Sequence, residues 1–431
     1  MVGREEKREF PRRSRATAGV ALVVSCLASA SARGGDVVPA SVEVDAFVAE
    51  ALTNSPELAA TRREADAARS RIAPAGALPD PMLTVFYEND GASFSLGTEP
   101  MTRLSFLAQQ AIPLGGRRGL AEGVARADAE RAGTRPARAA LSLEGAVRRA
   151  YADLLAAREN LRLDDDQIDT WRSVEESIRA RYSAGLGSQQ DVLRAQSERT
   201  RLLQQRRRDE ASEKTALVLL RRLLARDAGA PIPTAARLLP GSLPGAVPGA
   251  DVFPRAFEET PELKDSSLAK ERAGLAADLA RRSGWPELVA SAGYSYRGAL
   301  PLMWSAGVGV SVPLWSSRRQ KPMVAEAEAM RDVAASNETA LRREIRARVE
   351  ERLVVLQQLS DESRLDVEGV LAQDRLAVDS ALSSYRAGTA PFVTVLEALG
   401  TLFTDRRAAV SRLAGFIRVE ADLNELSLER K

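Results

Sequence analysis

Histidine is absent from all 431 residues. That removes Ser-His-Asp triads, Cys-His dyads and every His-based zinc site. Cysteine occurs once, as Cys26, so disulfide frameworks and iron–sulfur clusters are excluded as well. Aromatic residues make up only 5% while Ala and Arg are abundant, a balance suited to long packed helices. A large charge of either sign is also missing, with 61 Lys+Arg against 59 Asp+Glu. Residues 1–25 hold six basic and three acidic side chains, so the remainder is balanced at 55 to 56 and suggests no nucleic-acid-binding surface. At 45% apolar and 28% charged residues, the chain is neither a disordered tail nor a set of transmembrane helices. Its Asp and Glu residues form no constellation spaced for hydrolysis. Catalytic, metal and cofactor-binding residues are therefore expected to be none, and the chain is not expected to be an enzyme.

What is present begins with an export signal over residues 1–25. Arg12, Arg13 and Arg15 precede an apolar stretch from Ala16 to Leu27, followed by Ala28-Ser29-Ala30-Ser31-Ala32. This charged, apolar, small-residue order is secretory, and the apolar part is too short to span a bilayer permanently. Val23-Val24-Ser25-Cys26 resembles a bacterial lipobox, which makes Cys26 a candidate for lipidation after cleavage before it. The alternative is cleavage near residues 30–32, with Cys26 discarded.

The rest of the chain is one unit written twice. Asn54-Ser55-Pro56-Glu57-Leu58 recurs as Glu259-Thr260-Pro261-Glu262-Leu263, and Ile112-Pro113-Leu114 as Val312-Pro313-Leu314. Arg181-Tyr182-Ser183-Ala184-Gly185 recurs as Ser384-Tyr385-Arg386-Ala387-Gly388, and Asp191-Val192-Leu193 as Thr394-Val395-Leu396. The offsets are 205, 200, 203 and 203 residues, in one order, which marks a duplication with repeats at 41–250 and 251–431.

Each repeat holds two stretches of period-two alternation. Leu288, Ala290, Ala292, Tyr294 and Tyr296 alternate with small or polar residues, as do Trp304, Ala306, Val308, Val310 and Val312. About ten residues of such alternation suit a transmembrane barrel strand. Strands are expected at about 287–296 and 303–312, and, more weakly patterned, at 81–88 and 102–112. Nearly everything else reads as helix. An outward leg runs from Arg117 to Tyr182 with an interruption near Gly133 and Pro136, and the return comes in two pieces, Gln189–Arg226 and Asp251–Gly284. The second repeat has its outward leg at Ser317–Ser384 and one return piece at Pro391–Ser427. Its missing piece is the N-terminal run Ser41–Ala73, so the repeat is cyclic. Sixty-odd helical residues span ~100 Å. The fold class is thus mainly α with a transmembrane β part, built from two strands plus a long antiparallel helical hairpin, twice over.

Four strands cannot close a barrel, and an open edge in lipid leaves costly unpaired N–H and C=O groups. Several protomers must therefore share one barrel. Here the residues resemble a known family, the TolC-like outer membrane factors of efflux and type I secretion systems, over about Ser41 to Leu426. The most specific part is the turn from Arg181 to Leu193 with its second copy at Tyr385–Glu397. The resemblance implies a homotrimer with a 12-stranded β-barrel and a long α-barrel in outer-membrane lipid. It further implies an outer-membrane location with a large periplasmic part. Pro79-Asp80-Pro81-Met82-Leu83 and the stretch Gln109 to Arg118 resemble the heavy-metal (cation) branch, which implies two partners, a periplasmic adaptor (membrane fusion) protein and an inner-membrane pump of the resistance-nodulation-division type.

The same resemblance places the two turns at the periplasmic tips, which close the channel and meet the adaptor. The residues so marked are Tyr182, Gly185, Asp191, Tyr385, Gly388, Thr394 and Glu397. Ala390 and Thr394 stand where the family pattern can carry Arg and Asp, so one link and one acidic ring are not reproduced. Glu397 is either a ring of three carboxylates in a trimer or part of a solvated helix face. Asp164-Asp165-Asp166 reads as solvated. Two rival channel readings are a drug-efflux and a type I secretion duct; the rival of another class is a periplasmic coiled-coil scaffold or adaptor without a pore.

Overall fold

The structure is a computed structural model that describes residues 40–92, 94–95, 101–249, 252–258 and 260–427. The export segment and Cys26 lie outside the described residues. Helices dominate. Ala40–Asn54 (α1), Pro56–Arg69 (α2) and Ile72–Gly76 (α3) lead into strands Met82–Glu88 (β1) and Arg103–Pro113 (β2). Arg117–Ser183 (α4) and Gln189–Leu223 (α5) form the first hairpin. Val252–Glu258 (α6) and Pro261–Arg282 (α7) lead into Glu287–Tyr296 (β3) and Met303–Ser311 (β4). The second hairpin comprises Gln320–Leu365 (α8), a π-helical turn at Asp366–Val370, Leu371–Ala387 (α9) and Phe392–Ser427 (α10).

The helical runs expected at Ser41–Ala73 and Asp251–Gly284 are each divided, and the duplicated motif is the reason. Proline disfavours helical backbone at the residue before it, yet is well placed in a first helical turn. Ser55 accordingly holds extended backbone before Pro56, and its Oγ accepts from the Leu58 N–H at 3.2 Å as an N-cap. Thr260 takes the same backbone position before Pro261, but its hydroxyl instead donates to the Leu426 carbonyl at 2.8 Å. One copy of the motif caps its own helix, and the other ties α7 to the C-terminal helix.

The interruption expected near Gly133 and Pro136 is absent: α4 runs unbroken for 67 residues. Proline removes one helical hydrogen bond and crowds the preceding turn, at ~3 kcal/mol, but its fixed φ is helical. Packing outweighs that cost here, because Ala129 and Ala132 are buried and cluster with Ala68 of α2. Pro391, expected in the first turn of the last helix, sits just before it, where its carbonyl accepts from the Thr394 N–H at 3.2 Å.

Besides the small cluster around Ala68, Ala129 and Ala132, three larger apolar cores hold the described helices together. Tyr151, Leu154 and Leu155 of α4 pack with Phe47 of α1 and Leu220 of α5. Ile345, Val349 and Leu356 of α8 pack with Phe416 and Leu423 of α10. The third core joins α4, α5, α9 and α10 near the hairpin turns, through Trp171, Ala195, Tyr385 and Phe392. The strands form one antiparallel sheet in the order β1-β2-β3-β4. Among the described residues, its two edge strands, β1 and β4, have no outer partner.

Candidate functional site

Two regions carry what this chain can do: the sheet and the paired helix turns. Register decides the chemistry of the sheet. Val85, Phe106, Tyr294 and Trp304 lie side by side across all four strands, and the row Leu83, Ala108, Ala292 and Ala306 lies beside it on the same face. The opposite face carries Thr84, Leu107, Gly293 and Ser305, then Met82, Gln109, Ser291 and Gly307. Ser105 and Ser295 share a hydrogen bond of 2.8 Å on that face. A Cβ on Gly293 would come within 2.6 Å of Ser305 Oγ, so a larger residue there would have to displace that hydroxyl. The apolar face is uncovered, with Trp304 80% and Val308 72% exposed. A monomeric soluble protein rarely leaves such a patch open, and it blunts or covers the edge strands of its sheets. Among the described residues, no helix is long and apolar enough to cross a membrane.

At the turns, the two repeats end their outward helices in the same way. Gly185 and Gly388 adopt φ of +73° and +77°, the left-handed region that a residue with a Cβ enters at a cost. The Leu186 N–H donates to the Arg181 carbonyl at 2.8 Å and the Gly185 N–H to that of Tyr182 at 3.0 Å. Thr389 and Gly388 repeat this pair of bonds onto Ser384 and Tyr385, both at 3.0 Å. This closure satisfies carbonyls that a helix end would otherwise leave free. Ser188 then caps α5, its Oγ accepting from the Asp191 N–H at 3.2 Å, which sets a carboxylate in the first helical turn.

The structure brings Asp191 and Tyr385 near one another, and sets Tyr182 apart on the surface. The Tyr385 ring is 5% exposed and lies 5.8 Å from Phe392. Burial raises the pKa of its hydroxyl, with the Asp191 charge adding to the rise and Arg181 opposing it. Thr394 and Glu397 are exposed on one side of α10, whereas Val395 and Leu399 face the core.

Arg181 is the residue that motif reading passed over. Its guanidinium sits 4.9 Å from the centre of the Tyr385 ring and donates to the Arg386 carbonyl at 3.0 Å. It thereby links the turn of the first hairpin to that of the second. The signal was in the repeat: Arg181 aligns with Ser384, so only one copy carries the cation. A second correction concerns Asp164, expected to be solvated. It is 1% exposed and hydrogen-bonded to Arg407 of α10 at 2.8 Å, because α5 and α10 both close over this turn of α4. Asp165, one residue on, does point outward and pairs with Arg206 at 2.7 Å.

The model of the family described as outer membrane efflux protein matches residues 47–226 and 252–426. Comparison with curated proteins returns no match. Among solved structures, the chain is similar to the CusC channel at 16% identity and a TM-score of 0.75, covering 90% of this chain and 92% of that one. It is similar to VceC of Vibrio cholerae at 17% identity and 0.75, covering 90% and 96%. The open state of MtrE from Neisseria gonorrhoeae matches at 17% and 0.70, covering 89% and 88%. Identities this low speak for the fold alone. The family match spans both repeats, and the chain belongs to the outer membrane efflux protein family.

Proposed function

We propose that this chain is one of three subunits of a passive exit duct that crosses the outer membrane and the periplasm. The observation that carries this reading is the four-stranded sheet with one uncovered apolar face and two open edges. Edge strands in lipid must pair, since each unsatisfied backbone group there costs several kcal/mol. Three copies supply 12 strands, in the range that closes a barrel. The apolar rows then face lipid, and the serines and glycines line a wet interior. The hairpins hang from this barrel as an α-barrel whose tips carry Tyr182, Gly185, Asp191, Tyr385, Gly388, Thr394 and Glu397, the surface for a periplasmic adaptor.

The cargo in this reading is heavy-metal cations, supplied by a resistance-nodulation-division pump. The support is the similarity of residues 79–83 and 109–118 to that branch. The protein performs no catalysis; it conducts. Crosslinking of the full chain in detergent should trap trimers, and planar bilayers should record pores. Only monomers and dimers, together with no conductance, would sink the proposal in favour of a poreless periplasmic scaffold. Metal sensitivity after deletion, restored by the intact gene, tests the cargo; restored drug resistance without metal resistance would replace it.

A further inference from the structure

One buried acid lies away from both the sheet and the helix turns. Asp164 of α4 meets Arg407 of α10 and Asp209 of α5 where the two hairpins join. Arg407 Nη2 donates to Asp164 Oδ1 at 2.8 Å, and Nη1 donates to Asp209 Oδ2 at 2.9 Å. Gln205 Nε2 donates to the same Asp209 oxygen at 3.0 Å. Asp164 Oδ2 is buried and receives no donor. One guanidinium therefore serves two carboxyl groups, of which Asp164 is fully buried and Asp209 largely so. With both ionised, the site holds a net negative charge and an unpaired oxygen, each of which is costly.

The neighbouring charges do not relieve it. Asp165 and Glu210 both pair with Arg206, and Glu159 pairs with Arg162 and Arg237. Arg406 of α10 lies 5.6 Å from the Phe403 ring and feels Arg375 and Asp166.

We infer that Asp164 and Asp209 share one proton beneath Arg407, and that this proton-binding site sets how firmly the first hairpin holds α10. A proton on Asp164 lets that acid donate to Asp209, ends the carboxylate repulsion and leaves the site neutral. Burial lifts the Asp164 carboxyl to about 7; Arg407 opposes the rise and Asp209 adds to it. An exposed aspartate releases its proton near ~3.9. Docking α10 therefore takes up a proton between these two values. The joint is firmest in acid, weakens as pH rises through that window, and changes little above it. Histidine is absent, so few other side chains change charge near neutrality. Burial and the neighbouring Asp405 also raise the Asp374 carboxyl.

The consequence for gating rests on the duct reading; the proton site itself does not. Thermal unfolding of the full chain in detergent, from pH 5 to 8, is compared for wild type, Asp164→Asn and Asp209→Asn. Asparagine mimics the protonated acid in the first variant. In the second, Arg407 retains a single carboxylate and no proton is needed. Wild type should lose stability with rising pH relative to both variants, by up to about tenfold in the unfolding equilibrium per pH unit below 7. Parallel profiles for all three overturn the inference. Should Asp164→Asn fail to fold, Asp209→Asn alone decides it. In bilayers, wild type should open more at pH 8 than at pH 5, and Asp164→Asn should not. A chain that never conducts would end the duct reading, while the melting profiles still judge the proton site.

Discussion

Single residues at the turns carry the most direct tests. Gly185 has no neighbour within 4 Å of a would-be Cβ, so only its left-handed backbone penalises a larger residue. That penalty is roughly 1–2 kcal/mol, more with β-branching. Gly185→Val and Gly388→Val should speed amide exchange at Leu186 and Thr389 by on the order of tenfold. Gly400→Val, in a helix with open space and ordinary backbone, should leave exchange at its own site nearly unchanged. Equal effects at all three would show that the turn conformation is unimportant. Glu397 has no ion-pair partner among the described residues. In a trimer, three such carboxylates around a narrow opening concentrate cations, and salt near ~1 M screens them. Glu397→Gln should lower cation preference in reversal potentials across a dilute KCl gradient. Identical potentials would make Glu397 a solvated surface residue.

At the scale of elements, the two long outward legs differ in how they stay continuous. The first carries Pro136 without a break. The second passes through the π-helical turn Asp366–Val370, where Asp366 is held by Arg412 through two bonds of 2.6 Å. Such turns insert a residue into a helix and re-aim its C-terminal portion. In α4, replacing the proline restores a donor N–H and relieves crowding of the preceding turn. Pro136→Ala should therefore raise the thermal midpoint, by an amount corresponding to ~1–3 kcal/mol. A lowered midpoint would mean that packing around α4 depends on the proline ring.

On the scale of the whole molecule, the sheet ties membrane contact to assembly. Its apolar rows can face lipid only if the edge strands find partners, so insertion and oligomerisation should occur together. Trp304 stands at the end of one apolar row, whereas Trp171 is in the core at the helix turns. In vesicles with brominated acyl chains, Trp304→Phe should remove a quenched component of the fluorescence. Trp171→Phe should leave quenching intact. If Trp304 fluorescence is insensitive to the brominated chains, the apolar face is covered by protein rather than lipid.

Period and turn chemistry were legible in the sequence because both are local. Alternation over ten residues states which strand positions share a face, and a glycine before a new helix marks a left-handed turn. The duplication further exposed the mainly helical plan and the sheet's small share of it. The apolar row through Val85, Phe106, Tyr294 and Trp304 depended on register between segments some 200 residues apart in the chain. No local pattern states that register. Pro136 looked like a break because the cost of proline is local while the packing that offsets it comes from other helices. Asp164 and Asp165 are neighbours of one residue type, yet one is buried beneath Arg407 and the other pairs at the surface. Arg181 likewise gained its role from Tyr385, a residue of the other repeat. Sequence alone marked the helical and strand-forming stretches and the repeated motifs; only the tertiary structure decided where helices break and which charges meet, because burial and proximity belong to segments brought together by packing.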